Sequence, residues 1–479
     1  VDSPPLGYAV IPGRKGSEKC GVTGFKIKGN ATPYLYYSLR ALQHRGQESA
    51  GIAIFKEKIL SFRGMGLVHE VLTRDILEEF SSGTGIGHVR YSTAGSSTLL
   101  NSQPIVVHGQ AGDMAIAHNG EIVNANELKE YLENQGISFN TESDTEVIIR
   151  LLSFNISRSS NIIEGIKKTM GMMVGSYSLA LLIKDRLFAI RDPLAIRPLV
   201  FGRVNGGYGF ASESVAFDAV GGEVIRDLRP GEILEIKEDG YASYSLENDV
   251  GHTAHCMFEY VYFARADSTI DGKNVYNIRM RLGQILARES PAEADAVVPV
   301  PDSGRAHALG YSNESGIPFA EGLMKNRYVD RTFIIPDQSG RVQEIQIKLN
   351  PVKEIIKGKR IVLVDDSIVR GNTMKKIVKL LKDSGASEVH VRIGSPPIVS
   401  PCYLGIDMKT RSQFIANGKS VEEIRKEINA DSLAYLSING LVEAIGFDKE
   451  DLCLGCLTGV YPVKIKGEKY RWQRELDSF

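Results

Sequence analysis

Apolar positions along this chain follow two different patterns. Between residues 20 and 245 they come in short strand-like runs punctuated by glycine. Leu179-Ala180-Leu181-Leu182-Ile183, followed at once by Arg186-Leu187-Phe188-Ala189-Ile190, predicts a pair of adjacent strands. Helical spacing is strong at only a few places here: 34–42, 125–134 and 145–152. After Cys256 the pattern becomes one of strands alternating with helices, which predicts a parallel sheet. Ala296-Val297-Val298-Pro299-Val300 reads as a strand, with a helix opening at Ala306. Ile361-Val362-Leu363-Val364 reads as another. Met374, Ile377, Val378, Leu380 and Leu381 then fall on one helical stripe, with Lys375, Lys376, Lys379 and Lys382 outside it. Gly385 stops that helix, and Val389, Val391 and Ile393 alternate as a strand, so residues 361–393 form a βαβ unit. The change falls near residue 250 without a low-complexity linker, so the two halves are expected to pack directly.

Candidate chemistry sits at the strand-to-helix junctions of the second half. Asp365 and Asp366 end a strand, and Ser367, Arg370, Gly371, Asn372 and Thr373 lie in the loop that opens the helix. Ligands of open α/β sheets bind at such carboxyl ends. The paired acids can hold a ribose hydroxyl pair or Mg²⁺, and the backbone N–H groups of 367–373 can hold a phosphate. The plainer reading is an ordinary βαβ turn whose acids cap the helix. The upstream turn Asp302-Ser303-Gly304-Arg305 carries little information alone, but beside the first motif it becomes a second anion loop.

Composition narrows the field. The chain has 479 residues, enough for two or three domains, and its formal charge is 57 − 58 = −1. That balance gives no global field for nucleic acid or an anionic membrane. No apolar run reaches membrane-span length and residues 1–19 lack a signal-peptide core, so a cytoplasmic setting is expected. Five cysteines are too few for a disulfide framework. Cys453 and Cys456 form a Cys-x-x-Cys pair that fits zinc, an iron–sulfur cluster or a redox pair equally well.

The motifs resemble known families. The 361–373 segment is similar to the signature of type I phosphoribosyltransferases, which bind 5-phosphoribosyl-1-pyrophosphate (PRPP). In the first half, Cys20-Gly21-Val22 is followed by Gln43-His44-Arg45-Gly46-Gln47, Gly87-His88-Val89-Arg90-Tyr91, Ala117-His118-Asn119-Gly120-Glu121 and Ser143-Asp144-Thr145-Glu146. In order and spacing these blocks resemble the glutaminase domain of N-terminal-nucleophile amidotransferases. The resemblance implies an α+β N-terminal-nucleophile hydrolase, an αββα sandwich, followed by an α/β type I phosphoribosyltransferase domain with a parallel sheet. It gives Cys20 the role of nucleophile, with its α-amino group as base. Asn119 and Gly120 would hold the oxyanion, Arg90 the glutamine α-carboxylate and Asp144 its α-ammonium. Because Cys20 is not residue 1, residues 1–19 are expected to be a propeptide cleaved after Lys19.

Both halves together resemble the glutamine PRPP amidotransferase family, in its propeptide-bearing, cluster-containing branch. The similarity includes Glu259-Tyr260-Val261-Tyr262-Phe263-Ala264-Arg265-Ala266-Asp267-Ser268, and a loop at 325–333 that resembles the family's mobile loop. It implies a glutaminase domain at 20–250, a phosphoribosyltransferase domain at 251–450 and a tail at 451–479. PRPP would lie against Asp365, Asp366, the 367–373 loop, Asp302, Ser303, Lys325 and Arg327, with Mg²⁺ near Ser303, Asp365 and Asp366. Cys256, Cys402, Cys453 and Cys456 match the ligands of a structural 4Fe–4S cluster. Implied partners are glutamine and PRPP as substrates, purine nucleotides as feedback inhibitors and further copies of the chain in a dimer or tetramer. Two departures stand out: Leu194-Ala195 replaces the usual Asn-Gly, and Asp330 the usual Gly. The rival readings are another amidotransferase, which should lack Val-Asp-Asp, and a non-enzymatic PRPP-binding regulator, which would not need Cys20, Asn119 and Asp144 together.

Overall fold

The computed structural model describes residues 20–91, 98–109, 112–246, 251–326, 349–406, 408 and 410–471. The expectations that fall on residues 1–19, on Arg327 and Asp330 of the 325–333 loop, and on residues 472–479 lie outside the described residues. The first half is built on two antiparallel sheets. One has seven strands in the order Glu223–Asp227, Val200–Val204, Gly207–Ala211, Gly21–Ile27, Thr84–Arg90, Ser49–Phe55, Ile59–Met65. The other has six, in the order Gly240–Ser245, Glu232–Lys237, Arg186–Arg191, Gly175–Ile183, Gly112–Ile122, Ile105–Gly109.

Period-two alternation sends successive side chains into different cores. Val22, Ala53, Ala115, Ala117, Ala180 and Leu182 face inward between the sheets. Phe25, Ile52 and Ile54 face outward under helix Thr32–Ala41. Ile116, Leu179 and Leu181 face outward under helices Ala125–Glu133, Asp144–Ile156 and Ile162–Met172. The result is the αββα sandwich. Because both faces of each central strand are covered, the strands read as continuous apolar runs. Helix Ile162–Met172 was not among the expected helices, and its two glycines weaken the helical signal. Gly165 is there for contact, since a Cβ would lie 2.5 Å from Ile156 Cα of the neighbouring helix.

In the second half, strands Ala296–Pro299, Arg360–Asp365, Glu388–Ile393 and Ser432–Tyr435 form a parallel sheet in that order. Helices Val275–Glu289 and Arg305–Ser315 cover Val297, Val362 and Val364 on one face. Helices Asn372–Asp383 and Val421–Ile428 cover Val298, Leu363 and Val391 on the other. The expected βαβ unit is thus observed, with Gly385 just past the helix at φ +95°. The 15-residue helix Val275–Glu289 was not anticipated. The halves pack directly, and buried ion pairs cross between them: Arg45 to Glu259 and Arg191 to Asp271. Among the described residues, no helix is long and apolar enough to cross a membrane.

Candidate active sites

Cys20 precedes strand Gly21–Ile27 at the edge of the sandwich and is buried. The antiparallel register of Gly21 with Val89 sets it opposite Arg90, which ends its own strand buried. The Cys20 thiol lies 3.7 Å from the carbonyl of Tyr91. Its own carbonyl accepts a 2.8 Å hydrogen bond from Arg45 Nε. In the facing sheet, Asn119 and Gly120 pair with Ser178 and Tyr177. Among the described residues the buried Asn119 Nδ2 has no hydrogen-bond partner. Gly120 has φ +147°, and a Cβ there would sit 2.1 Å from the Ser176 carbonyl, so only glycine fits. Asp144 opens helix Asp144–Ile156, where its Oδ2 accepts from Ile122 N at 3.2 Å and its Oδ1 lies 3.7 Å from His118 Nδ1. His88, buried beside these residues, has its Nε2 3.1 Å from the His118 carbonyl. Burial, followed by the Arg90 and His118 charges, brings its pKa down to about 3, so it stays neutral. Cys20 and Arg90 are thus neighbours on one sheet, Asn119, Gly120 and Asp144 gather around the strand Gly112–Ile122 of the other, and the His88–His118 contact joins the two.

The second half presses against this centre. The carbonyl of Leu404 accepts from Ser176 Oγ (2.9 Å) and Arg197 Nη2 (2.8 Å), and a Cβ on Gly405 would lie 2.9 Å from the Gly120 carbonyl carbon. Arg45 Nη1 donates to Glu213 Oε1 (2.5 Å) and Glu259 Oε2 (2.9 Å), while its Nη2 donates to Glu259 Oε1 (2.7 Å). Burial works against the Glu213 charge, but His44 and Arg45 outweigh it and hold the carboxyl well below its usual range. Sequence reasoning quoted Arg45 and Glu259 inside their motifs without giving either a task. A charged residue heading the apolar run Tyr260-Val261-Tyr262-Phe263 was the available signal, because such a charge is buried only when paired.

A different centre lies at the carboxyl edge of the parallel sheet. Asp365 and Asp366 are both buried; Asp366 N donates to Asp365 Oδ1 (2.9 Å) and Ser367 Oγ to Asp366 Oδ2 (2.6 Å). Burial, then the neighbouring Asp366 charge, pushes the Asp365 carboxyl well above the usual carboxylate range. A bound cation would relieve that repulsion. Gly371 caps helix Asn372–Asp383 at φ +76°, where a Cβ would meet Ile415 Cδ1 at 2.1 Å. The Asp302–Ser303 loop follows the adjacent strand, and Val300 N donates to the Val364 carbonyl at 2.9 Å, so both loops emerge side by side. Lys325 Nζ lies 2.8 Å from Asp302 Oδ2, on the wall of an open cleft of about 510 Å³ that Arg305 and Asn326 also line.

The cysteines other than Cys20 gather from three segments. Cys256 and Cys453 are in register on paired short strands, and the carbonyl of Cys456 accepts from Val399 N and Ser400 N, both at 3.0 Å, just before Cys402. All are free thiols within electrostatic reach of one another. Burial pushes Cys256 up to about 12 and Cys402 up to about 11, while Arg197 draws both partly back. Among the described residues no three His, Cys, Asp or Glu side chains converge tightly enough for a single metal ion.

An N-terminal-nucleophile sandwich joined to a phosphoribosyl-binding sheet defines a glutamine-dependent phosphoribosyltransferase. The comparisons agree. A glutamine amidotransferase domain model matches residues 88–219 and a phosphoribosyl transferase domain model matches residues 270–393. The amidophosphoribosyltransferase of Methanothermobacter thermautotrophicus is 52% identical over 456 residues, covering 94% of this chain and 96% of its own. That of Bacillus subtilis is 46% identical, covering 94% and 95%. The solved B. subtilis glutamine PRPP amidotransferase, complexed with ADP and GMP, superposes with a TM-score of 0.87 at 45% identity, covering 94% of this chain and 98% of that one. The chain belongs to the amidophosphoribosyltransferase family, whose members catalyse the first step of purine biosynthesis.

Proposed function

We propose that Cys20, freed at its amino group by removal of residues 1–19, attacks the glutamine amide and expels ammonia, leaving a glutamyl thioester that water then hydrolyses to glutamate and free thiol. Its α-amino group takes the thiol proton and returns it to the leaving ammonia. Asn119 Nδ2 and Gly120 N–H hold the oxyanion, while Arg90 and Asp144 bind the α-carboxylate and α-ammonium. Ammonia then crosses inside the protein to C1 of PRPP, forms the C–N bond and displaces pyrophosphate, giving 5-phosphoribosylamine. Asp365, Asp366 and Ser303 would hold Mg²⁺, which supplies charge neutralisation to the departing pyrophosphate. Ser367 to Thr373 hold the 5-phosphate, and Lys325 lies on the pyrophosphate side.

The observation that carries this reading is the buried Asn119 amide, with no partner for Nδ2 among the described residues, beside a glycine that tolerates no side chain. The test measures glutamine hydrolysis with and without PRPP and Mg²⁺ in the wild type and Cys20→Ala. Hydrolysis is expected to rise with PRPP and to vanish in the variant. Hydrolysis that survives loss of Cys20 would sink the proposal, and so would an uncleaved N-terminus in active enzyme.

Cys256, Cys402, Cys453 and Cys456 are the ligands we propose for a structural 4Fe–4S cluster, supported by the burial of Cys256, Cys402 and Cys456, the pairing of half-buried Cys453 beside Cys256, and the nearby Arg197 cation. Iron and sulfide analysis with visible absorption checks this, and stoichiometric zinc instead would refute it. The ADP and GMP in the B. subtilis structure support purine nucleotides as feedback ligands here.

A further inference from the structure

Arg45 and Glu259 stand apart from the chemistry just described, yet both are almost entirely buried. Arg45 uses Nε on the carbonyl of Cys20 and both terminal nitrogens on carboxylates. Glu213 comes from the glutaminase half and Glu259 from the second half. Glu259 accepts two bonds from Arg45 and one from Arg197 Nη1 at 3.1 Å, so its carboxylate is fully committed. Glu259 also opens the wide helical turn Glu259–Phe263. The far side of that turn is fastened by Arg279, whose Nε donates to the Tyr260 carbonyl (2.9 Å) and whose Nη2 donates to the Ala264 carbonyl (2.7 Å). The guanidinium of Arg279 is buried within electrostatic reach of Asp366. Charge-assisted contacts thus join the carbonyl of Cys20 to the Glu259–Phe263 turn, which Arg279 fastens from its other side.

We propose that Glu259 is a positioning residue for glutamine hydrolysis, supplied by the phosphoribosyltransferase half: it fixes Arg45, which fixes the peptide group of Cys20. The proposal rests on the reading of Cys20 as the nucleophile. The thiol and the α-amino group share one Cα with the carbonyl that Arg45 holds, so rotation of that carbonyl would move both reacting atoms. A rigid bidentate guanidinium–carboxylate pair suits the task, because its planar fork fixes direction as well as distance. The guanidinium of Arg45 and the carboxylate of Glu259 are bonded to protein groups, apart from the residues proposed to bind glutamine. Loosening the pair should therefore lower turnover without changing glutamine affinity.

The experiment compares wild type, Glu259→Asp, Arg45→Lys and the double variant, each assayed with glutamine and separately with ammonium salt as nitrogen donor. Both single variants keep their charge, so neither leaves an uncompensated buried ion. Shortening the carboxylate by one methylene should lower glutamine-dependent kcat by about 10²-fold, the scale of an ångström-level misplacement. KM for glutamine and the ammonia-dependent rate should stay within about twofold. The double variant should be no worse than the poorer single one, as expected for two residues acting through one contact. An unchanged glutamine kcat, a change confined to KM, or equal loss of both activities would overturn the assignment. Cys20→Ala run alongside separates the two ideas: retained hydrolysis there defeats the nucleophile reading itself, whatever Glu259→Asp does.

Discussion

The two centres of this enzyme are held in different ways. The glutamine centre draws its groups from positions 20 to 144, on two facing sheets, and is backed by side chains of the other half. The PRPP centre uses two contiguous loops at the ends of neighbouring parallel strands. The first is enclosed and depends on Arg45, Glu259 and the Leu404–Gly405 contact for its shape. The second is open on the side of Lys325, and its acids lie buried against each other. A centre that releases ammonia must keep it from escaping to solvent, whereas a large polyanion must enter and leave the other. The contrast places the rigid chemistry in the sandwich and the adaptable binding on the loops.

The sharpest way to separate the centres is to remove one at a time. Cys20→Ala should lower glutamine-dependent synthesis by about 10⁴-fold or more and spare synthesis from ammonium salt. Asp366→Asn should instead lower both, by about 10²–10³-fold, because either nitrogen donor needs the same PRPP site. Steady-state rates with each donor test the pair. If Asp366→Asn affected glutamine-dependent synthesis alone, the division into independent centres would be wrong.

Asn119→Ala probes the enclosed centre more gently. Loss of one oxyanion donor should reduce glutamine kcat by about 10²–10³-fold, with the ammonia route intact. A rise in glutamine KM at constant kcat would move Asn119 from oxyanion stabilisation to ground-state binding.

Much of this was legible before the structure, and the reasons differ by region. The 361–393 unit could be read because strand, acids, loop and helix are contiguous and each obeys a local rule. The sandwich could be placed only through the order of its blocks, since strands covered on both faces show no polar alternation. What the sequence concealed were long-range partners. Arg45 finds Glu259 across 214 positions, and no local pattern carries such a pairing. The gathering of the cysteines was expected only through the family resemblance, because parallel pairing of Cys256 with Cys453 is a tertiary event that no local pattern carries.

On the open centre, Gly371→Ala should act through backbone and packing together. The left-handed φ costs an L-residue about 1–2 kcal/mol, and the new methyl would strike Ile415. Weaker PRPP binding is expected, read as a higher KM for PRPP with either nitrogen donor. Adding Ile415→Ala should recover the steric part and leave the backbone part, and no recovery would show that Ile415 does not set the loop.

The smallest effect expected lies between the two centres, at Ala195. It holds φ +51° while fully buried. Asp192 explains why the turn survives without glycine. Its carboxylate accepts from Leu194 N (3.0 Å) and Ile196 N (3.1 Å), and its carbonyl accepts from Ala195 N (3.0 Å). The Ala195 carbonyl in turn accepts from Arg191 Nη2 at 3.2 Å, and it lies 3.1 Å from His255 Nδ1. The surroundings impose the left-handed conformation on a residue that resists it by about 1–2 kcal/mol. Ala195→Gly removes that strain but adds backbone freedom to the unfolded chain, an opposing term of about 0.4–1 kcal/mol. A net gain of up to about 1 kcal/mol should remain, visible in denaturant unfolding, with both nitrogen-donor activities unchanged. A loss of stability would mean that the Ala195 methyl contributes more to packing than its backbone costs.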